Sequence, residues 1–145
     1  MSEHHVPRHG SGIAGEARPG KPVRAIRPED LDRPHPLYCV WEITLACDLG
    51  CKHCGSRAGK ARDGELTTEQ CMDVIDQLAE VGVREVTLIG GEAYLREDWL
   101  ELVRAITERG MACSMATGGR NLTAERVAAA KDAGMVAISL SIDGL

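Results

Sequence analysis

Aromatic side chains and long apolar runs are both scarce in this chain of 145 residues. Aromatic residues make up 3% of it and Phe is absent, so no platform for stacking nucleic-acid bases is expected. The net charge of -5 offers no electrostatic attraction to nucleic acid. No apolar run is long enough to span a membrane, and the polar N-terminus lacks the apolar core of a signal peptide. We therefore expect a cytoplasmic protein with neither a nucleic-acid nor a membrane partner.

Two regions of different composition divide the chain. Residues 1–36 are rich in Gly, Pro, Arg and His and show no apolar period. Such a segment buries too little surface to offset the entropy cost of ordering it, so we predict a disordered N-terminal tail over residues 1–36. Residues 37–145 are expected to form one core domain.

Strand and helix signals alternate through the core domain. β-branched or apolar runs predict strands, and apolar residues at helical spacing predict helices. The predicted strands cover residues 38–45, 85–91, 112–119 and 136–144, and the predicted helices cover residues 67–82, 96–110 and 122–134. Thr67 and Gln70 have the spacing of a capping box at the first helix. The resulting βαβαβαβ order predicts an α/β fold with a parallel sheet.

The unusual polar and glycine clusters all follow predicted strands. They are the cysteine loop, Gly90-Gly91-Glu92, Thr117-Gly118-Gly119 and the segment 141–144. Because parallel sheets place functional groups beyond the carboxyl ends of their strands, we expect these clusters at one edge of the sheet. The chain stops at Leu145, directly after the last strand, which we interpret as the front part of a larger domain.

Three cysteines lie within eight residues, in the stretch A-C-D-L-G-C-K-H-C-G: Cys47, Cys51 and Cys54. Three thiolates in one loop can hold three corners of a 4Fe–4S cluster and leave one iron open. The alternative is a zinc site, with His53 or a distant cysteine as the fourth ligand. The remaining cysteines, at positions 39, 71 and 113, fall in predicted strands or on an apolar helix face, where burial in the core explains them.

Cys47-x3-Cys51-x2-Cys54 after one strand, with Gly90-Gly91-Glu92 after the next, resembles the radical S-adenosylmethionine (SAM) enzymes. The stretch W-E-I-T-L-A-C-D-L-G-C-K-H-C with E-L-T-T-E-Q downstream is most similar to the SPASM-type branch, which includes peptide maturases. This resemblance implies the N-terminal part of a (βα)6 partial TIM-type barrel. It also implies a 4Fe–4S cluster and SAM as cofactors, and an external flavodoxin- or ferredoxin-like one-electron reductant.

The resemblance further implies reductive cleavage of SAM to a 5′-deoxyadenosyl radical, which abstracts hydrogen from a peptide or another small substrate. In this reading Cys47, Cys51 and Cys54 are the cluster ligands, and Glu92 accepts hydrogen bonds from the SAM ammonium. The other residues matched to SAM-binding positions are His53, Gly90, Gly91, Thr117 and Ser141. The resemblance assigns no catalytic residue.

Two positions depart from the family pattern. The family usually has Pro after the glutamate, where this chain has Ala93, and Thr-Asn-Gly where this chain has Thr117-Gly118-Gly119. The first departure removes a restriction on the Glu92 backbone, and the second removes an amide side chain. Two alternative hypotheses remain open: a structural zinc-binding module, and a truncated radical SAM protein without activity.

Overall fold

A computed structural model describes residues 24–142. Each predicted strand and helix has a counterpart there, although the last two residues of the fourth predicted strand, 143 and 144, lie outside the described range. The helices and strands follow one another with these bounds: α1 Pro28–Asp32, β1 Tyr38–Glu42, α2 Thr68–Glu80, β2 Glu85–Ile89, α3 Trp99–Glu108, β3 Ala112–Thr117, α4 Ala124–Asp132 and β4 Ala137–Leu140. A short 3-10 helix, Ala93–Leu95, lies between β2 and α3. No helix in the described range is long and apolar enough to cross a membrane.

The four strands form one parallel sheet in the order β1-β2-β3-β4. Sequence neighbours are therefore also spatial neighbours, as they are around a TIM-type barrel. The register pairs Tyr38 with Glu85 and Ser114 with Ala137, so the carboxyl ends of all four strands lie at one edge. The predicted α/β class and parallel sheet are confirmed.

The core lies between the sheet and its helices. Val86, Leu88 and Met115 point from the strands into it and are completely buried. Helix α3 contributes the face predicted from its period, with Trp99, Leu102, Val103 and Ile106 buried. Helix α4 buries only Ala130, in line with its small alanine-rich face.

Helix α2 begins with the capping box that its sequence predicts. The Thr67 hydroxyl accepts from the Gln70 backbone N–H at 3.3 Å, and the Gln70 side chain accepts from the Thr67 N–H at 2.9 Å. This capping box satisfies two backbone donors that have no partner within the helix. Cys71 and Ile75 lie on the buried face of the same helix.

Strand β1 ends at Glu42, three residues before the predicted end. The reason is that the next backbone N–H groups, those of Leu45 and Ala46, donate to side-chain oxygens and not to the backbone of β2. The Leu45 N–H donates to the Glu65 carboxylate at 2.8 Å, and the Ala46 N–H donates to the Thr44 hydroxyl at 3.0 Å. The regular strand therefore ends before the cysteine loop, although the Thr44 and Ala46 carbonyls still accept from Gly91 and Glu92.

Helix α3 begins at Trp99, three residues after the predicted start at Arg96. The Arg96 guanidinium donates to the Asp98 carboxylate at 2.6 Å, and it also reaches the carbonyls of Ile43 and Leu66. These bonds hold Arg96 in an extended conformation, with φ -75° and ψ 130°. Arg96 consequently links the residue after β1, Ile43, to Leu66 in the loop that precedes α2.

Residues 24–36 differ from the expected tail. They contain α1, whose Asp30 is buried and forms an ion pair with Arg84. Arg24 donates to the Glu85 carboxylate at 2.7 Å and stacks on the Tyr38 ring at 3.8 Å. This segment therefore packs on the domain at the amino ends of the strands. Residues 1–23, which hold the rest of the predicted tail, lie outside the described range.

Candidate metal and cofactor site

The carboxyl ends of β1, β2 and β3 bring three sequence motifs together. The cysteine loop follows β1, Gly90-Gly91-Glu92 follows β2, and Thr117-Gly118-Gly119 ends β3. Direct bonds join them: the Gly91 N–H donates to the Thr44 carbonyl at 2.9 Å, and the Glu92 N–H donates to the Ala46 carbonyl at 2.8 Å. Motifs that are far apart in the sequence are thus brought together in one site.

The cysteine loop is closed at its base by backbone hydrogen bonds. The Cys47 N–H donates to the Gly59 carbonyl at 3.1 Å, and the Gly59 N–H donates to the Leu45 carbonyl at 2.9 Å. Within the loop, the Cys54 N–H donates to the Cys51 carbonyl at 3.3 Å. Arg57 takes a left-handed conformation with φ 51°, which reverses the chain after the third cysteine. The loop therefore holds its three thiols on a short, folded segment.

The thiols differ in exposure. Cys51 is exposed, whereas Cys47 and Cys54 are half-buried. Backbone N–H groups point at the two half-buried sulfurs: Leu49 N lies 3.4 Å from Cys47 Sγ, and Ala58 N lies 3.4 Å from Cys54 Sγ. Donors of this kind favour the thiolate form, which is the form that binds metal.

The pKa of the Cys47 thiol is raised above its ordinary value. Burial is the main cause, and the negative charges of Glu92 and Asp48 add to it, while the Leu49 N–H opposes it. Thiolate formation at Cys47 therefore needs positive charge close by. A bound metal supplies that charge, because coordination deprotonates a thiol.

The spacing of the ligand atoms bears on the zinc alternative. A tetrahedral zinc ion with Zn–S bonds of about 2.3 Å would hold its sulfur ligands roughly 3.8 Å apart. In the described part of the chain, the group of three potential ligand atoms within 4.8 Å of one another is Cys47, Asp48 and Glu92. It contains only one of the three loop thiols. The three loop thiols therefore do not all lie at the mutual spacing of a tetrahedral zinc site.

Gly90 and Gly91 are required by close packing against the cysteine loop. A Cβ atom on Gly91 would lie 2.3 Å from the Ala46 carbonyl oxygen and 2.5 Å from the Cys47 Cβ. A Cβ atom on Gly90 would lie 2.5 Å from the Thr44 carbonyl oxygen. Backbone atoms cannot move aside cheaply, so only glycine lets the end of β2 approach the loop this closely.

Glu92 is fully buried beside the cysteine loop. Its carboxylate accepts the Thr117 hydroxyl and the Gly118 backbone N–H, the latter at 2.8 Å. The Thr117 hydroxyl oxygen in turn accepts the Gly119 N–H at 2.9 Å. Both donors to the carboxylate are neutral, and no Lys or Arg of residues 24–142 is paired with it. A buried negative charge held this way is suited to a cationic ligand.

The two departures from the family pattern have structural counterparts. The Glu92 backbone is extended, with φ -130° and ψ 108°, close to the conformation that a following Pro would favour, although Ala93 follows it. A Cβ atom on Gly118 would lie 2.3 Å from the Leu49 Cδ1, so the Leu49 side chain fills that space. The Gly118 backbone N–H donates to Glu92.

The other predicted residues lie further from this cluster of contacts. His53 is exposed on the cysteine loop. Ser141 is exposed just beyond β4, and its N–H donates to the Thr117 carbonyl at 2.9 Å. Glu42, near the cysteine loop, accepts the Ser56 hydroxyl at 2.6 Å and pairs with Arg62. It is therefore a satisfied structural carboxylate.

Several residues of the site were not identified from the sequence. Asp48 lies between the cysteine loop and the turn after β3, where the Arg120 guanidinium donates to its carbonyl at 2.7 Å and the Asn121 amide donates to its carboxylate. The buried Tyr94 hydroxyl accepts the Asn121 N–H at 3.1 Å. The only sequence signal for Asp48 is its place beside Cys47, and none singles out Asn121.

Many curated proteins are similar to this chain, and two of them illustrate the range. The mycofactocin maturase MftC of Mycobacterium ulcerans is 38% identical over 109 residues, which cover 75% of this chain and 30% of the relative. The AdoMet-dependent heme synthase of Methanosarcina barkeri is 39% identical over 110 residues, which cover 75% of this chain and 32% of the relative. The chain thus spans about a third of the length of these relatives.

Solved structures share the fold. BtrN in complex with AdoMet and 2-DOIA has a TM-score of 0.63 at 20% identity, over 76% of this chain and 47% of that one. Streptococcus suis SuiB bound to the precursor peptide SuiA has a TM-score of 0.58 at 23% identity, over 66% of this chain and 21% of that one. The sequence profile of the Radical SAM superfamily matches residues 41–145. The chain therefore belongs to the radical SAM superfamily.

Proposed function

We propose that this chain provides the cluster-binding and SAM-binding part of a radical SAM enzyme. Cys47, Cys51 and Cys54 hold a 4Fe–4S cluster through three of its irons, and the fourth iron is left open for SAM. The observation that carries the proposal is the contact between two motifs: the end of β2, with a fully buried Glu92, packs directly on the first residues of the three-cysteine loop.

The residues of the site fit these cofactors. Neutral N–H donors face two of the three sulfurs, and the three thiols do not all lie at the mutual spacing of a tetrahedral zinc site. Glu92 carries a buried charge whose partners are neutral, and the α-ammonium group of SAM is a cation of suitable size. Cluster and SAM would then be held at adjacent strand ends.

Each residue of the site has a defined role in binding SAM in this proposal. Glu92 receives the ammonium group, and Thr117 and Gly118 fix the orientation of its carboxylate. The backbone around His53, together with Ser141 past β4, would complete the SAM site. When bound, the reduced cluster and SAM supply the cleavage of SAM to methionine and a 5′-deoxyadenosyl radical, which abstracts hydrogen from the substrate. The electron comes from an external flavodoxin- or ferredoxin-like donor.

For the substrate we propose a peptide. The E-L-T-T-E-Q stretch with the cysteine motif is similar to the SPASM-type maturases, and the curated relatives include a mycofactocin maturase. The similarity to a heme synthase, at 39% identity, makes a small non-peptide substrate the second candidate. Incubation with each substrate class, followed by mass spectrometry of the substrate, distinguishes the two.

The reaction class is tested by anaerobic incubation of the reconstituted protein with SAM and dithionite. We expect methionine and 5′-deoxyadenosine in equal amounts, and neither product from Cys51→Ala. Absence of both products from protein whose cluster is reduced, as seen in its electron paramagnetic resonance spectrum, would overturn the proposed function.

A further inference from the structure

Asp48 places a second carboxylate beside the candidate cluster site. Its Oδ1 atom is shielded from water and has no hydrogen-bond partner. A carboxylate oxygen of Asp48, the Cys47 Sγ and a carboxylate oxygen of Glu92 all lie within 4.8 Å of one another. An unpaired carboxylate oxygen in such a position is costly for folding alone, so its placement calls for an explanation at the site.

Asn121 fixes the orientation of this carboxylate. The Asn121 amide donates to the Oδ2 atom of Asp48, which leaves Oδ1 as the atom without a partner. Asp48 is only half-buried, so without this bond its carboxylate could rotate toward water. Glu92 provides no substitute for the Asn121 amide, because its carboxylate is itself an acceptor.

Asn121 is itself held from two sides. Its backbone N–H donates to the Tyr94 hydroxyl at 3.1 Å, and its carbonyl accepts from Arg126 at 2.6 Å. The Arg126 guanidinium also lies over the Tyr94 ring, 4.9 Å from its centre. The turn after β3 is thus anchored to the 3-10 helix, and it presents the amide of Asn121 to the cysteine loop.

We propose that Asp48, oriented by Asn121, tunes the reduction potential of the cluster bound by the cysteine loop. The inference rests on the proposed function, because it requires the cluster. A negative charge next to a ligating thiolate disfavours the added electron and makes the reduced cluster a stronger reductant. Such a cluster is better suited to pass its electron to SAM. Asn121 acts only through Asp48 and is a positioning residue.

The test is an anaerobic redox titration of the reconstituted protein, followed by electron paramagnetic resonance. Asp48→Asn removes the charge and keeps the size of the side chain. We expect a more positive midpoint potential, with the ratio of reduced to oxidised cluster raised about tenfold at a fixed potential, which is 59 mV for one electron. Asp63→Asn, which removes an exposed acid with the same change in net charge, should leave the potential unchanged.

A double-mutant comparison tests the role of Asn121. Asn121→Ala should shift the potential in the same direction by a smaller amount, because the carboxylate turns toward water. It should add nothing to the shift of Asp48→Asn, since the two residues act as one unit. Asn121→Ala leaves the sequence of the cysteine loop unchanged. It therefore still reports the effect of the Asp48 carboxylate on the potential if Asp48→Asn assembles less cluster.

Three outcomes distinguish failure of the inference from failure of the proposed function. A cluster that forms normally, with one potential shared by the parent, Asp48→Asn and Asn121→Ala, overturns the inference alone. An additive effect of Asn121→Ala in the Asp48→Asn background removes the positioning role. Failure of the parent protein to bind any cluster overturns the proposed function itself.

Discussion

The substitution Glu92→Gln isolates the charge of the buried carboxylate. The glutamine oxygen can still accept the Gly118 N–H, which lies 2.8 Å from the present carboxylate. The glutamine NH2 group then faces the Thr117 hydroxyl oxygen, which accepts the Gly119 N–H and has a second lone pair available. Size and local hydrogen bonding are therefore kept, and the main loss is the negative charge.

The expected effect follows from the burial of Glu92. Because the side chain has no exposed surface, water does not screen its charge. A hydrogen bond to a charged group contributes about 1.5–3 kcal/mol, so SAM affinity should fall roughly ten- to a hundredfold. Isothermal titration calorimetry of SAM into reconstituted protein measures this loss, after iron analysis has shown equal cluster content.

Glu85→Gln is the matched control for this experiment. Glu85 is also a buried carboxylate, but it lies at the amino end of β2 and pairs with Arg24. Its replacement should lower stability and leave SAM affinity unchanged. Equal SAM affinity of the parent and Glu92→Gln would refute the assignment of Glu92 to the ammonium group.

Two further predictions concern stability. Gly91→Ala should lower the free energy of unfolding by about 1–3 kcal/mol in chemical denaturation, because the new methyl group overlaps backbone, whereas Gly55→Ala meets open space and should change it by less than about 0.5 kcal/mol. The hydrogen bond from Arg24 is the main cause that holds the pKa of Glu85 below its usual range. This pair therefore stabilises the fold above the unfolded pKa of about 4.3, and its contribution is lost as the pH falls from there through the lower pKa of Glu85 in the folded protein. Arg24→Gln should accordingly lose less thermal stability than the parent between about pH 5 and pH 3, and equal losses would contradict this reasoning.

Local sequence signals were sufficient for most of the fold. The capping box at Thr67 and the apolar period of α3 depend on residues three or four positions apart, so the sequence displays them directly. The three cysteines and Gly91-Glu92 were also visible, and the parallel order of the strands placed them at one edge. The predicted boundaries differed where side chains replaced backbone partners, as Glu65 does after β1.

Contacts between distant residues account for what the sequence did not show. Helix α1 is held by the ion pair between Asp30 and Arg84, which are 54 positions apart, and its short polar sequence contains no apolar period that predicts a helix. The bonds of Thr117 and Gly118 to Glu92 depend on the register of β2 and β3. The contact of Asn121 with Asp48 spans 73 positions, and neither residue carries a local signal for the other.

The binding of a 4Fe–4S cluster is tested most directly by the iron and acid-labile sulfide content of protein reconstituted under anaerobic conditions. We predict about four irons and four sulfides per chain, the composition of one 4Fe–4S cluster. Ala in place of Cys47, Cys51 or Cys54 should remove the cluster, whereas Cys39→Ala, which changes a half-buried cysteine of β1, should keep it. One zinc per chain with no sulfide, unchanged by reconstitution, would show that the three-cysteine loop does not bind an iron–sulfur cluster.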